Sequence, residues 1–302
     1  MIKNMLRKIP IFVLVLCIML SGTACFAEEK TDNIDLSIYS VQKKVKVADE
    51  KEIKSTLKKL DKFVANRNTD GIASIISDTF ISNDGFSKEA YIKMLKKSWD
   101  LYPDLKSSSK IERIKIDGEN AQVYVIDSAK GKLSSETSKL EKSGTVTIQT
   151  ESIMFMQKYG SEWKLQSIYT VKENSILAYS DAQLLKINLT APSQVAQGTP
   201  YCAKLQIDLP SNYIPFASIT NDKIEYPPTV PEMVFKSPAA DGILERIVNA
   251  NSEGKNEYAV ATIGITKPII SKDNKIVIKI SGMAVAITRV NVISNKQDAA
   301  KI

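Results

Sequence analysis

The chain has 302 residues and a net charge of +7, from 41 lysines and arginines against 34 aspartates and glutamates. It contains no histidine. This composition excludes every serine or cysteine mechanism that needs an imidazole base, and it removes the commonest metal ligand. The basic residues are mixed with acidic ones rather than clustered with aromatic residues, so we expect no nucleic-acid partner.

Residues 1–27 have the pattern of a cleavable export signal. The first eight residues carry three positive charges, residues 9–20 are almost entirely apolar, and the small residues Cys25 and Ala27 precede a polar segment. The apolar run is shorter than the roughly 20 residues that span a bilayer. We therefore expect the mature protein to lie outside the cytoplasm, in a periplasm or secreted.

A second interpretation of this segment is a lipid anchor. Residues 21–25 resemble a bacterial lipobox, in which the thiol of Cys25 receives a diacylglycerol group. Gly22 stands where that motif usually has a bulky aliphatic residue. Soluble export is therefore preferred, and lipidation of Cys25 stays open as the alternative. Membrane contact is expected only if Cys25 is lipidated.

Periodicity predicts helices first and strands afterwards. Segment 28–47 is polar and is predicted to be a tether. Helical spacing starts at residue 48, with Asp49 as its predicted N-cap and Ile53, Leu57, Leu60 and Val64 as its apolar face. Two shorter helical patterns follow, the second capped by Ser87, and after residue 109 the apolar period changes to two. This order predicts an α+β domain over 48–173, with helices on one face of a curved antiparallel sheet.

The last two strands of this domain suggest a pocket. If side chains alternate strictly, hydroxyl and large apolar side chains share the inward face. The candidate pocket-lining residues are then Thr150, Ser152, Met154, Met156, Trp163, Ser167 and Tyr169. Such a mixture is typical of a cavity that offers a few hydrogen bonds. The alternative is that the hydroxyl groups bond locally to the backbone, because threonine is common in strands.

The order of elements and the segment 159–168, which reads YGSEWKLQSI, resemble the nuclear transport factor 2-like superfamily, which includes SnoaL-like and ketosteroid isomerase-like proteins. The resemblance covers about 48–173. It implies a cone-shaped curved antiparallel sheet that is packed by the N-terminal helices. The superfamily contains isomerases, cyclases, dehydratases, scaffolds and non-enzymatic accessory domains, so the resemblance implies a fold more than a function.

Acid–base catalysis in such a cone requires a buried carboxylate base and a tyrosine or protonated aspartate as hydrogen-bond donor. Glu151 and Tyr124 have the right chemistry, but alternation places Glu151 on the face opposite to Met154. We therefore expect no inward carboxylate on these strands. A buried carboxyl group within hydrogen-bond reach of a tyrosine hydroxyl would favour an enzyme.

The second half of the chain is almost entirely β-patterned. We predict a linker at 174–183, a β-sandwich over 184–294 and a polar tail at 295–302. The sandwich weakly resembles bacterial immunoglobulin-like domains. Its closing run, 283–293, is strongly strand-forming. That run could be an edge that pairs with another chain, but its two apolar faces favour a central core strand.

The preferred function is that of an exported bacterial accessory protein without catalysis. The cone would bind a small apolar or amphipathic ligand or a protein partner, and the sandwich would serve as spacer or interaction module; a homodimer is also open. The alternative is an isomerase-like or dehydratase-like enzyme with a carboxylate base and a tyrosine acid. No motif indicates a cofactor, and no loop has the spacing of a metal site.

Overall fold

The computed structural model describes residues 36–133, 144–210, 213–225, 234–239, 241–270 and 273–294. The expected export signal, Cys25 and the tail at 295–302 lie outside these residues. No helix in the described ranges is both long enough and apolar enough to cross a membrane.

Within the described residues, three helices form the first layer: α1 (Leu36–Ala65), α2 (Thr69–Ile75) and α3 (Lys88–Leu101). The apolar face predicted for α1 is buried, and Ser87 caps α3 by accepting a hydrogen bond from the Ala90 amide at 3.4 Å. Helix α1 nevertheless begins at Leu36, so a tether up to residue 47 is wrong. Segment 36–48 contains no glycine or proline that would stop the helix. Asp49 lies inside the helix and pairs with Lys158 at 2.5 Å instead of acting as a cap.

Twelve strands and one short 3₁₀ turn, Asp181–Leu184, follow or separate the helices. They are β1 (Ile76–Ser82), β2 (Lys106–Asp117), β3 (Asn120–Lys132), β4 (Gly144–Tyr159), β5 (Glu162–Ser180), β6 (Lys186–Thr190), β7 (Gln194–Ala196), β8 (Pro200–Asp208), β9 (Ile214–Lys223), β10 (Ile243–Asn249), β11 (Glu257–Ile270) and β12 (Ile276–Ile293). The large sheet has the order β2-β3-β4-β5-β12-β11-β9, with β1 parallel to β5 and β7 parallel to β12. A second sheet has the order β10-β8-β6.

Two hydrophobic cores lie on opposite faces of the large sheet. The first core packs the sheet against α1, α2 and α3, and the second packs it against the three-stranded sheet. Strand β5 contributes to both, because Leu177 and Tyr179 face the first core while Ala178 faces the second. The described chain is therefore mainly antiparallel sheet with helices on one side, an α+β arrangement, and its β-rich second half adds a second sheet layer.

The predicted linker at 174–183 is wrong. Strand β5 continues without interruption to Ser180, and its residues 174–180 pair with 282–288 of β12. The reason is that Ile176, Leu177 and Tyr179 are good strand formers that find apolar partners on either face. One sheet therefore contains strands from both sides of the boundary expected at residue 184. This large sheet is a layer of the α+β part and also one of the two sheets that enclose the second core.

Strand β12 lies in the middle of this sheet. It pairs with β11 on one side from Ile276 to Val290, and over Gly282–Thr288 it also pairs with β5 on the other. This placement confirms the core interpretation of 283–293 and contradicts the interpretation of that run as an edge strand.

The shared sheet predicts how the protein resists proteases. Residues 176–179 are paired on both sides and Ser180 is paired with β12, so we expect limited proteolysis to leave this segment intact. Calorimetry should show one cooperative unfolding transition for the two cores. Early cleavage at 176–180, or two separate transitions, would show that the strand pairing between β5 and β12 does not couple them.

Candidate functional site

Five of the seven predicted pocket-lining residues lie on the buried face of the sheet that meets the helices. Thr150, Ser152, Met154, Met156 and Trp163 are each at most 2% exposed. Ser167 and Tyr169 lie on the opposite face and are only half-buried. The hydroxyl of Ser167 donates a hydrogen bond at 2.6 Å to the carbonyl of Ile81 on the neighbouring strand β1.

Two β-bulges in β5 explain the misplacement. The register between β4 and β5 shifts once at Gln166 and again at Val171. Each bulge inserts one residue, and one inserted residue moves every later side chain to the other face of the strand. After the first bulge Ile168 and Thr170 face inward, and after the second Glu173 and Ser175 do.

Two aspartates face the interior from opposite layers. Asp61 on α1 is 4% exposed and Asp127 on β3 is 2% exposed. The Oγ1 of Thr150, the neighbour of Asp127 across the ladder, donates a hydrogen bond to Asp127 Oδ2 at 3.4 Å. Within the described residues, the Oδ1 atoms of both aspartates have no hydrogen-bond partner.

Burial keeps these two carboxyl groups protonated to higher pH than usual. Loss of hydration raises the pKa of Asp61 from 3.8 to about 7. Loss of hydration, followed by the nearby charge of Asp61, raises the pKa of Asp127 well above its ordinary value, while the Thr150 hydrogen bond opposes the change. Because the pKa of Asp61 is about 7 and that of Asp127 is also raised, the pair can hold a proton when the surrounding solution is neutral.

A third carboxyl group, Glu173, lies on the same face and is fully buried. The hydroxyl of Tyr258 on β11 donates a hydrogen bond to its Oε2 at 2.9 Å. Burial raises the pKa of Glu173 to about 8, although the charge of Arg289 and the Tyr258 hydrogen bond both lower it. Arg289 forms a fully buried ion pair with Asp84, with Nη1 to Oδ2 at 3.1 Å. These contacts join the loop before α3 to the far half of the sheet.

Buried polar atoms without a partner are concentrated in the interior of the α+β part. Among the described residues they are Asp61 Oδ1, Tyr102 Oη, Asp127 Oδ1, Trp163 Nε1, Glu173 Oε1 and Ser175 Oγ. Native proteins satisfy nearly all such atoms with protein, water or ligand. The second core contributes none of them, and its buried carboxylate Glu257 accepts hydrogen bonds from Tyr201, Asn221 and Asn251. The α+β interior is thus the part of the described structure in which buried polar groups remain open to a further hydrogen bond.

The expectation of no inward carboxylate on the strands is wrong, because Asp127 and Glu173 face inward, and helix α1 adds Asp61. Two of these three carboxylates were visible in the sequence. Asp61 lies four residues after Leu57 on the apolar face of α1, and Asp127 continues the alternation of Val123 and Val125. Each is a carboxylate where the pattern calls for an apolar residue. Glu173 follows two bulges that no alternation rule reveals.

The carboxylate and tyrosine considered from the sequence lie elsewhere. Glu151 is half-exposed and pairs with Lys172 at 3.1 Å, which confirms that it faces away from Met154. The guanidinium of Arg113 stacks on the ring of Tyr124, 4.1 Å from its centroid. Neither Glu151 nor Tyr124 belongs to the buried set formed by Asp61, Asp127 and Glu173.

Asp61, Asp127 and Glu173 are closed off from solvent in the described structure. Depressions of about 150 to 670 Å³ on the surface of the described residues are lined by side chains other than Asp61, Asp127 and Glu173. The described side chains include no group of three or more histidine, cysteine, aspartate or glutamate residues placed to hold a metal ion. Polar recognition and proton transfer are what this arrangement can provide.

Comparison with known proteins gives only structural likenesses. No protein-family model matches the chain, and no curated protein matches it. A conserved protein from Planctomyces limnophilus is 15% identical, with a TM-score of 0.35 over 40% of this chain and 94% of that one. A putative scytalone dehydratase from Novosphingobium aromaticivorans is 15% identical, with a TM-score of 0.34 over 42% of this chain and 86% of that one.

A third similar structure comes from Cytophaga hutchinsonii and is described as an NTF2-like protein, which is the superfamily that the sequence resembles. It is 18% identical, with a TM-score of 0.30 over 39% of this chain and 93% of that one. Likeness at these values concerns part of the fold and says nothing about what this chain does.

The interior carboxyl groups predict an unusual dependence of stability on pH. Because the folded pKa of Asp61 is raised, the folded state binds a proton that the unfolded state has released between pH 3.8 and about 7. The free energy of unfolding should therefore fall as the pH rises through this window. Asp61→Asn cannot ionise, so its profile should be flatter, and at pH 8 it should be more stable than the native protein by roughly 1–3 kcal/mol.

Urea denaturation at several pH values measures this difference. Asp117→Asn, which changes an exposed carboxylate in the turn between β2 and β3, is the matched control and should follow the native profile. Identical slopes for native protein and Asp61→Asn would contradict the assignment of Asp61 as a buried proton carrier.

Proposed function

We propose that the interior between α1 and the sheet opens to bind a small, uncharged, amphipathic molecule, and that Asp61 and Asp127 recognise its polar groups. The observation that supports this proposal is the pair of buried carboxyl groups on facing layers, each with one oxygen that has no partner among the residues that the structure describes. Binding without catalysis is the preferred form of the proposal.

The protonation state of Asp61 and Asp127 determines which kind of ligand can bind. With their raised pKa values, the two carboxyl groups retain a proton near neutral pH, so one can donate a hydrogen bond while the other accepts. A hydroxyl, carbonyl or amide group can satisfy both. A permanently charged ligand is disfavoured, because it would lose its hydration without a fully ionised counter-charge.

The surroundings of the pair are apolar. Asp61 lies between Leu57 and Val64 on α1, and Asp127 lies between Val125 and Ala129 on β3. A molecule that reaches both carboxyl groups must therefore place hydrocarbon against these side chains, which supports an amphipathic ligand. Access requires the helix layer to move away from the sheet, because the pair is closed off in the described structure.

A second candidate function, catalysis, is favoured by the criterion set from the sequence, because Glu173 is buried, its pKa is raised to about 8, and the Tyr258 hydroxyl donates a hydrogen bond to it at 2.9 Å. Asp61 offers a second carboxylate for the same role. The pKa of Asp61, at about 7, matches what a general base needs at neutral pH. The unpartnered hydroxyl of Tyr102 is buried in the same core and could serve as a hydrogen-bond donor. The protein would then be an isomerase-like or dehydratase-like enzyme that uses one of these carboxylates as its base and a tyrosine as its acid.

Small molecules that co-purify with the protein test the binding proposal. Mass spectrometry should find a molecule enriched on the native chain and on the Asp117→Asn control, and lost from Asp127→Val, which keeps a good strand former at that position. Equal recovery from native protein and Asp127→Val would contradict recognition by the aspartate pair.

The same molecule separates the two candidates. If it is only a ligand, incubation with native protein leaves it unchanged. If the protein is an enzyme, native protein converts it, whereas Glu173→Gln or Asp61→Asn, whichever replaces the base, binds it without conversion because the amide cannot accept the proton.

We also propose that the protein is exported and acts as an extracytoplasmic accessory protein, with its β-rich second half serving as spacer or interaction module. The pattern of residues 1–27 supports export. The two sheets that enclose the second core support an immunoglobulin-like sandwich in the second half, which would act as the spacer or interaction module.

Export is tested by the intact mass of protein recovered from the envelope or medium of the cells that make it. We expect a chain that starts at Glu28, after cleavage at Ala27. A chain that starts at Cys25 and carries diacylglycerol would establish the lipid-anchored alternative. An unprocessed chain in the cytoplasm would contradict export.

A further inference from the structure

Strands β11 and β12 extend beyond the rest of the large sheet as a two-stranded hairpin, here called the arm and formed by residues 266–270 and 276–280. Strand β9 stops pairing with β11 at Thr266, and β5 stops pairing with β12 at Gly282. Within the described residues, both edges of the arm are therefore unpaired past these points. Its five residue pairs give it a length of about 15 Å.

One face of the arm is apolar and exposed to solvent. The register pairs Ile270 with Ile276, Pro268 with Ile278 and Thr266 with Ile280, so these side chains share a face. Ile270 and Ile276 are each 76% exposed, Ile278 is 60% exposed and Ile280 is 44% exposed. Ile214 of β9 pairs with Thr266, is 48% exposed and continues this face. A contiguous row of exposed isoleucines is unusual on a soluble surface and marks an interaction site.

The other face of the arm carries two positive charges directly opposite each other. Lys267 of β11 pairs with Lys279 of β12 across the ladder. Like charges in this position destabilise a strand pair. An anion bound between them would remove the repulsion, so the arm is complementary to a surface that offers negative charge next to an apolar region.

We propose that the arm docks on a membrane that contains anionic phospholipids. The isoleucine face would enter the boundary between headgroups and acyl chains, while Lys267 and Lys279 would reach lipid phosphates. A second copy of the chain fits this surface less well, because two arms that cover each other's isoleucine faces would leave Lys267 and Lys279 on the outer faces without an anion. The proposal does not depend on a ligand in the α+β interior or on lipidation of Cys25.

Co-sedimentation with lipid vesicles tests the proposal. The protein is expressed with its export signal in a Cys25→Ser background, so that no lipid anchor contributes, and is purified in its processed form. The native arm should bind phosphatidylcholine vesicles that contain phosphatidylglycerol, and bind pure phosphatidylcholine vesicles more weakly. Ile276→Ser combined with Ile278→Ser should reduce binding about tenfold or more, because it removes two exposed apolar anchors.

Two further variants identify the cause of any loss. Ile247→Ser changes an isoleucine of β10 that is 73% exposed outside the arm, and it should bind vesicles like the native protein. Lys267→Gln combined with Lys279→Gln should weaken binding to phosphatidylglycerol vesicles and reduce its sensitivity to salt. Because the arm lies outside both cores, we expect all these variants to show the native circular dichroism spectrum.

Three outcomes would overturn the proposal. The native protein could fail to bind phosphatidylglycerol vesicles, or the arm serine variant could bind as well as the native protein. Alternatively, sedimentation velocity without lipid could show a dimer that the arm serine variant converts to monomers. The last result would assign the arm to contact between copies of the chain.

Discussion

The pairing of β5 with β12 is the constraint on which the rest of this structure depends. It joins the α+β part to the β-rich part within one sheet, and alternate residues of the two strands face different cores. Because side chains alternate with a period of two, a slip of one residue would exchange these faces. The buried ion pair between Arg289 and Asp84 supports this arrangement from the helix side, and removing one partner of such a pair typically costs about 3–5 kcal/mol.

The α+β interior contains polar groups that a stable core would avoid. Asp61, Asp127 and Glu173 are buried with raised pKa values, and each has an oxygen without a partner among the described residues. The contrast with Glu257 in the second core is informative, because that carboxylate is equally buried and fully hydrogen-bonded. Groups that weaken folding tend to be found where function requires them, which is why the interior rather than the surface is the candidate site.

Periodicity predicted the helices, most strands and the central position of 283–293, since long amphipathic or doubly apolar runs have few alternatives. It could also have shown Asp61 and Asp127, which interrupt otherwise apolar positions. Glu173, Ser167 and Tyr169 could not be placed in this way. Two bulges in β5 change which face each residue occupies, and a bulge depends on the partner strand rather than on local sequence.

The sequence by itself determined the lack of imidazole chemistry, the export pattern of residues 1–27, and the change from helical to strand periodicity, because each of these is a property of composition or local spacing. Tertiary structure alone decided that residues 174–180 continue a strand instead of linking two domains, and that α1 brings Asp61 into the same core as Asp127. It also decided that isoleucines at the ends of β11 and β12 remain exposed on an arm. These features arise from contacts between residues far apart in the chain, and no local pattern specifies which distant strand or helix will provide them.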